Sequence, residues 1–182
     1  NYNVALGAFA LTANTTGQFN VGVGNSALKA NTTGDKNIAI GVRALKANTT
    51  ADNNIAIGYQ SLDANTTGGQ NTAVGDSSLY SMGGAERNTA VGQGAGGFIN
   101  EGNDNLMLGY NAGKSSSPSG QITTGSGNVC LGDNSIGNLY CADTSISSSD
   151  QRDKTDITDF TKGLDWIKAL RPVTYRWDRR TW

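Results

Sequence analysis

A five-residue phrase recurs eight times along this chain: asparagine, an apolar residue, a small residue, an apolar residue and glycine. Its copies begin at Asn3, Asn20, Asn37, Asn54, Asn71, Asn88, Asn105 and Asn128. The first seven copies follow a strict 17-residue period, and only the last interval, from Asn105 to Asn128, is longer. A period this strict indicates one small structural unit that is stacked on copies of itself.

The apolar pattern of the phrase predicts a strand that is covered on both faces. Positions two and four are Val, Ile, Leu or occasionally Thr, which favour strands, and position three is nearly always Ala or Gly. Alternate residues of a strand lie on opposite faces, so neither face here is polar. One face would fill the thin interior of a 17-residue coil. The other needs a cover, and a neighbouring identical chain is the simplest one. The Ala and Gly positions would let the backbones of such neighbours approach closely.

The remainder of each unit is a leucine and a polar turn. The leucine follows the glycine by four residues in the first five copies, and Asn-Thr-Thr-Gly or a close variant follows in the first four. Asn and Gly tolerate the positive φ angles of turns. The unit therefore predicts a strand, a glycine corner, a short strand or half-turn, and a polar turn. A repeat of this length is too short for a βαβ unit and fits one coil of an all-β parallel solenoid or β-roll. The aligned asparagines either form an amide ladder or each cap their own turn.

The repeat becomes less regular toward its C-terminal part. The leucine position becomes Gly96, and the last interval carries an insertion within Lys114–Gly127, which is either a binding loop or a plain spacer. Cys130 occupies a position that is Ala, Gly or Met elsewhere, so we expect a small buried residue. Its pairing with Cys141 has no support in the sequence. The chain has no histidine and no Cys-x-x-Cys, so we expect no metal site and no cofactor.

A second kind of sequence begins near Ser149. All three tryptophans follow it, whereas 24 of the 25 glycines precede it. We expect a repeat shaft over 1–138, a linker over 139–149 and a separate segment over 150–182. Neither part has a dense basic patch or an apolar run of about 20 residues, so we expect no nucleic-acid partner and no membrane insertion.

The segment after Ser149 predicts one helix and one strand. The apolar residues from Leu164 to Leu170 fit one face of a short helix that Pro172 stops. Apolar and polar residues then alternate from Val173 to Trp177 as in a strand. Asn3 is already in register with the repeat and the chain stops soon after this strand, so we expect a piece of a longer protein.

The tandem phrases with their Asn-Thr-Thr-Gly turns resemble two groups of proteins. One is the head repeats of trimeric autotransporter adhesins, whose fold is a parallel β-roll trimer. The other is the repeat shaft of bacteriophage tail fibres, which the 17-residue period favours. Three-fold symmetry is what these resemblances imply; the residues alone predict only an oligomer.

The pattern from Ser149 to Trp177 resembles the start of the intramolecular chaperone domain of endosialidases and phage tail fibres, which is also classed as a self-cleaving peptidase. Ser-Asp-x-Arg-x-Lys-x-Asp-Ile is followed by Gly-Leu-x-x-Ile-x-x-Leu-x-Pro-Val-x-Tyr-x-Trp. The resemblance implies cleavage between Ser149 and Asp150 by a dyad of Ser149 and Lys154. A neutral lysine amine can take the serine proton if its pKa is lowered. Asp153 departs from the family's usual apolar residue and would instead stabilise a charged Lys154.

These resemblances imply a structural shaft in a homotrimeric phage tail fibre or spike. Its expected partners are other copies of itself, other phage tail proteins and a host receptor, either a glycan or an outer-membrane component. Its expected location is the virion, after synthesis in the host cytoplasm. Two alternatives are a bacterial trimeric surface adhesin and a polysaccharide-degrading spike. The spike would need paired carboxylates, for which Glu86, Glu101 and Asp104 are the candidates. Threonine rows also occur in ice-binding solenoids, but here they stop after four copies.

Overall fold

A computed structural model describes residues 2–138 of the chain. Each copy of the phrase forms a three-residue strand, and the eight strands make one parallel sheet in sequence order. The strands are β1 Val4–Leu6, β2 Val21–Val23, β3 Ile38–Ile40, β4 Ile55–Ile57, β5 Thr72–Val74, β6 Thr89–Val91, β7 Leu106–Leu108 and β8 Val129–Leu131. The predicted all-β parallel solenoid is confirmed. Within residues 2–138 no helix is long and apolar enough to cross a membrane.

Residues with a positive φ angle turn the chain at the corners of each coil. The glycine that ends each phrase has a positive φ, for example +133° at Gly75. A Cβ at Gly75 would lie 2.6 Å from the carbonyl oxygen of Gly92 in the next coil, so the coils stack too closely for a side chain there. Positive φ continues at Arg43 and Leu45 and at the matching residues of other coils. Of the two alternatives predicted for this segment, the half-turn is confirmed and the short strand is wrong, because these angles produce turns.

The interior of the solenoid is filled by leucines from one wall and small residues from the other. Leu45 and Ala39 are both fully buried, as are their counterparts in neighbouring coils. At Gly22 an added Cβ would lie 3.5 Å from Cγ of Leu11, so the small position faces the leucine column. The expectation that Ala and Gly face a neighbouring chain is therefore wrong. The interior is so thin that it accommodates leucine from only one side, and the bulky strand residues face outward.

The asparagines that begin the phrases form a continuous amide ladder. Oδ1 of Asn20 accepts hydrogen bonds from the backbone N–H of Asn37 at 2.9 Å and from its Nδ2 at 3.2 Å. The same Nδ2 donates to the carbonyl oxygen of Ala51, at the turn of its own coil, at 2.7 Å. Each asparagine therefore links two coils and also braces its own turn, so both readings of the sequence hold.

A second, shorter ladder stands at the polar turns. Asn31, Asn48 and Asn65 each donate from Nδ2 to Oδ1 of the asparagine in the preceding coil, at 2.8–3.2 Å. The series ends at Asn65, because the next coil has Met82 at this position. Oδ1 of Asn65 is buried and has no hydrogen-bond partner. The two ladders thus differ in length: one spans the sheet, and the other stops halfway.

The insertion between β7 and β8 folds back on the end of the core. Ser117 is buried, and its Oγ lies 2.7 Å from Sγ of Cys130. The backbone N–H of Gly113 also donates to that sulfur, at 3.2 Å. Cys130 is a small buried residue as predicted. Cys141, its possible partner, lies outside the described residues.

Candidate interaction surfaces of the solenoid

The outward face of the sheet is an uncharged apolar surface, which we call the strand face. It comprises the first and third residues of each strand, sixteen in all, of which fourteen are apolar and two are threonine. Ile40 is 39% exposed and Ile57 is 37% exposed, although both lie in the middle of the sheet. The strand face extends without interruption along all eight strands.

A surface of this kind is typical of an interface. Parallel sheets are normally covered on both faces, and among residues 2–138 only the inner face is covered by the same chain. A contiguous exposed apolar area along a whole sheet is uncommon on a protein that acts alone. The strand face is therefore the leading candidate for contact with a partner.

The turn side of the solenoid is polar and has internal hydrogen bonds. Oγ1 of Thr32 donates to the carbonyl oxygen of Thr49 in the next coil at 2.9 Å, and Thr49 repeats the contact with Thr66 at 3.1 Å. Oδ1 of Asp52 accepts from the backbone N–H of Asp35 at 2.7 Å. These polar groups already form hydrogen bonds with one another. A partner is therefore needed less on this side than on the apolar strand face.

One ion pair joins adjacent coils on the flank beyond the glycine corner. Nε and Nη2 of Arg43 each donate to one carboxylate oxygen of Asp63 at 2.9 Å. Asp63 is buried, and this hydrogen bond raises the pKa of Arg43. A bidentate pair of this geometry stabilises the stacking of its two coils. The sequence showed it only as an acid at a position where the two preceding coils carry lysine.

The three acids considered for glycan cleavage do not form a catalytic pair. Arg87 donates to both Asp104 and Glu86, at 2.7 and 2.9 Å. Its hydrogen bond to Asp104 holds the pKa of that carboxyl below its ordinary value. A general acid of a glycosidase needs a raised pKa. Glu101 is exposed and lines a separate shallow cavity with Asn100 and Asn103. These positions give the polysaccharide-cleaving alternative no support.

The predicted cleavage residues Ser149, Asp150 and Lys154 lie outside the described residues, as do the predicted helix and strand that follow them. Their roles stay predictions that follow from the resemblance.

Sequence reasoning missed a set of exposed aromatic residues beside the glycine corner. Tyr59, Tyr80, Phe98 and Tyr110 are each between 38% and 56% exposed. Tyr80 stands at a position that is threonine, lysine or aspartate in earlier coils, and Phe98 at one that is alanine or serine. The signal was present as departures from the repeat, at the point where it becomes irregular.

Comparison with known proteins finds one family. The family model described as the chaperone of endosialidase matches residues 149–181, less than a fifth of the chain. The match begins at Ser149, where the composition changes. No curated protein and no solved structure matches the chain.

Proposed function

We propose that the solenoid is a shaft segment of a homotrimeric bacteriophage tail fibre or tailspike, with a C-terminal chaperone that templates its assembly. The observation that carries the proposal is the strand face, which presents fourteen exposed or half-buried apolar side chains and no charge. A long stack with one apolar side is suited to packing against parallel copies of itself. Three copies around a common axis would each cover this face and leave the polar turns in water.

The chaperone has a physical purpose in such a protein. Every strand pairs with the strand of the next coil, at least one full period away along the chain, and parallel pairing that is not local forms slowly. Until folding and assembly are complete, unpaired strand edges and the uncovered strand face are exposed, and both promote aggregation. A C-terminal domain that holds the chains together in register would shorten this stage. The family match to the chaperone of endosialidase supports this role for the segment that starts at Ser149.

The proposal includes self-cleavage once assembly is complete. Lys154 as a neutral amine would take the proton of the Ser149 hydroxyl, which then attacks the carbonyl carbon of the Ser149–Asp150 peptide bond in a neighbouring copy of the assembled trimer, because attack on its own carbonyl would close a strained four-membered lactone. The C–N bond breaks, the amine of Asp150 leaves with a proton, and water hydrolyses the resulting ester. The released shaft would act in the virion with other tail proteins and contact a receptor on the host surface.

The oligomeric state in solution tests whether the strand face is an interface between copies. We expect a trimer by light scattering coupled to size exclusion for the wild-type protein. The double variant Ile40→Glu, Ile57→Glu places two charges on the strand face and should yield monomers or smaller species at the same protein concentration. Thr50→Glu adds a charge on the exposed turn side and should leave the trimer intact. A monomeric wild-type protein, or a trimer that the double variant does not disturb, would overturn the proposal.

Mass spectrometry tests the self-cleavage. The wild-type chain should give two fragments whose masses sum to that of the intact chain plus one water, with the new ends at Ser149 and Asp150. Ser149→Ala should stay intact. If the chaperone needs sequence that follows Trp182, the expressed protein must include it. An intact wild-type protein expressed with that sequence would remove self-cleavage and leave the shaft proposal standing.

A further inference from the structure

A furrow interrupts the solenoid surface beyond the glycine corner, away from the strand face. It encloses about 270 Å³ and is lined by Gln60, Ser77, Tyr80, Gly97, Phe98 and Lys114. The coil that starts at Asn88 has two buried glycines, Gly94 and Gly97, at positions where earlier coils carry longer residues. The side chain of Lys114, from the next coil, lies over both glycines in the space that longer residues would occupy.

The walls of the furrow are partly apolar. Tyr80 is 38% exposed and Phe98 is 42% exposed, and each is a large ring in a position that earlier coils fill with a smaller or polar residue. Tyr110 is exposed in the following coil. Aromatic rings held on a rigid stack offer flat contact area at a low cost in conformational entropy.

The positively charged side chain of Lys114 lines the furrow. Nζ of Lys114 is 5.3 Å from the centroid of the Phe98 ring. A Cβ at Gly94 would lie only 2.6 Å from this Nζ, so the lysine occupies the space that the glycine leaves free. Within residues 2–138 no carboxylate lies within ion-pair distance of Lys114. The furrow is also lined by Gln60, which offers an amide, and by Ser77, whose hydroxyl donates to Asp76 at 2.6 Å and so presents its oxygen as an acceptor.

We propose that this furrow binds one acidic sugar unit, a six-membered hydroxylated ring that carries a carboxylate. The apolar side of such a ring packs against aromatic faces, its hydroxyls match an amide and a hydroxyl oxygen, and its carboxylate supplies the partner that Lys114 lacks. The volume is slightly below the usual range for small-molecule pockets, so it fits one ring and not a longer segment. This inference goes beyond the shaft role and does not depend on the number of associated copies.

The same chain contains a matched site without a furrow. Nζ of Lys29 lies 5.4 Å from the centroid of the Phe9 ring, almost the same distance as that of Lys114 from Phe98. Lys29 stands at the same position of its coil as Lys114, and the coil before it has Phe9 and Thr12 at the positions of Gly94 and Gly97. Lys29 therefore tests whether a lysine over a ring is sufficient or whether the furrow is required.

Saturation-transfer NMR on the full chain is the direct experiment, with sodium glucuronate, glucose and sodium acetate as separate probes. We expect saturation of glucuronate with a Kd on the order of millimolar, as befits a single ring in a shallow site. Glucose and acetate should each bind about tenfold more weakly, because glucose lacks the carboxylate and acetate lacks the hydroxylated ring.

Variants assign the signal to the furrow. Lys114→Met should weaken glucuronate binding about three- to tenfold, and Phe98→Ala by a similar factor. Alanine is the ordinary residue at the Phe98 position in the first four coils, so this change is compatible with the fold. Lys29→Met should leave binding unchanged.

The result decides the inference in either direction. Glucuronate binding that Lys114→Met and Phe98→Ala weaken, and that Lys29→Met does not, supports it. Absence of glucuronate binding, equal binding of acetate, or equal effects of the two lysine variants would overturn it. A protein that is monomeric yet binds glucuronate in this way would refute the trimeric shaft and leave the furrow intact.

Discussion

Removing one asparagine from the middle of the long ladder should destabilise the solenoid by an amount that its hydrogen bonds allow us to work out. Asn54 is fully buried, and its Oδ1 accepts from the backbone N–H and the Nδ2 of Asn71, at 3.0 and 3.2 Å. Its Nδ2 donates to Oδ1 of Asn37 at 3.2 Å and to the carbonyl oxygen of Gly68 at 2.9 Å. Asn54→Ala removes all four contacts.

Only one of the partners is left without a hydrogen bond. Gly68 keeps a donor in Asn65, Asn37 keeps the backbone N–H of residue 54, and the Nδ2 of Asn71 keeps the carbonyl oxygen of Ala85. The buried backbone N–H of Asn71 is orphaned, at a cost of about 1–3 kcal/mol. The loss of the remaining contacts adds about 1 kcal/mol. We therefore expect the free energy of unfolding to fall by about 2–4 kcal/mol.

Urea unfolding followed by circular dichroism measures this loss, at one fixed protein concentration because association would add to the apparent stability. Asn25→Ala is the matched control: Asn25 is exposed, the first coil has alanine at this position, and the change should be within about 0.5 kcal/mol. Asn54→Asp keeps the acceptor but buries a carboxylate against two acceptor oxygens, so it should cost more than Asn54→Ala at pH 7. A loss below about 1 kcal/mol for Asn54→Ala would refute the ladder as a principal source of stability.

Two further results follow from the same geometry. Gly75→Ala should destabilise the protein by about 2–4 kcal/mol, because residue 75 has φ +133° and its Cβ would collide with the carbonyl of Gly92. Gly22→Ala should instead raise the stability, by about 0.5 kcal/mol, since its Cβ would meet only ordinary contacts; equal effects of the two changes would contradict this. The depressed pKa of Asp104 beside Arg87 gives a stabilisation that is present above the unfolded pKa and is lost as the pH falls through the folded value. Asp104→Asn should therefore lower the melting temperature slightly at pH 7, and this difference should shrink in high salt and as the pH falls below the unfolded pKa; a difference that stays constant across that acid range would argue against the pair.

The period of the repeat was sufficient to predict the parallel stack and its register, because a strand at a fixed interval can pair only with its own copies. It was not sufficient to predict which face of the strand lies inside. Alternation of bulky and small residues fits both orientations. The choice depends on the opposite wall, where Leu45 already fills the interior and leaves room only for Ala39. A second wall that carried alanine in place of leucine would favour the reverse arrangement.

The candidate surfaces differ in how far the sequence reveals them. The strand face follows from the repeat once its orientation is known. The furrow does not, because it depends on residues that are adjacent across several coils and far apart in the chain, such as Gln60 and Lys114. Departures from the repeat, at Gly97 and Phe98, mark its place without indicating its shape.

The early end of the short ladder explains why the solenoid varies where it does. Each asparagine of that ladder donates to the carbonyl oxygen of the residue three positions later, as Asn65 does to Gly68 at 2.9 Å, and this contact fixes the turn. From Met82 onward the position is apolar and fully buried, as at Ile99, so the core gains apolar packing while the turn loses its anchor. Turns freed from that contact tolerate insertions and exchanged side chains. The insertion after Lys114 and the furrow residues Tyr80, Phe98 and Lys114 all lie after Asn65, whereas the long ladder continues to Asn128 and keeps the sheet in register. The long ladder thus keeps the coils in register, whereas the end of the short ladder allows the turns and the surface residues to differ from coil to coil.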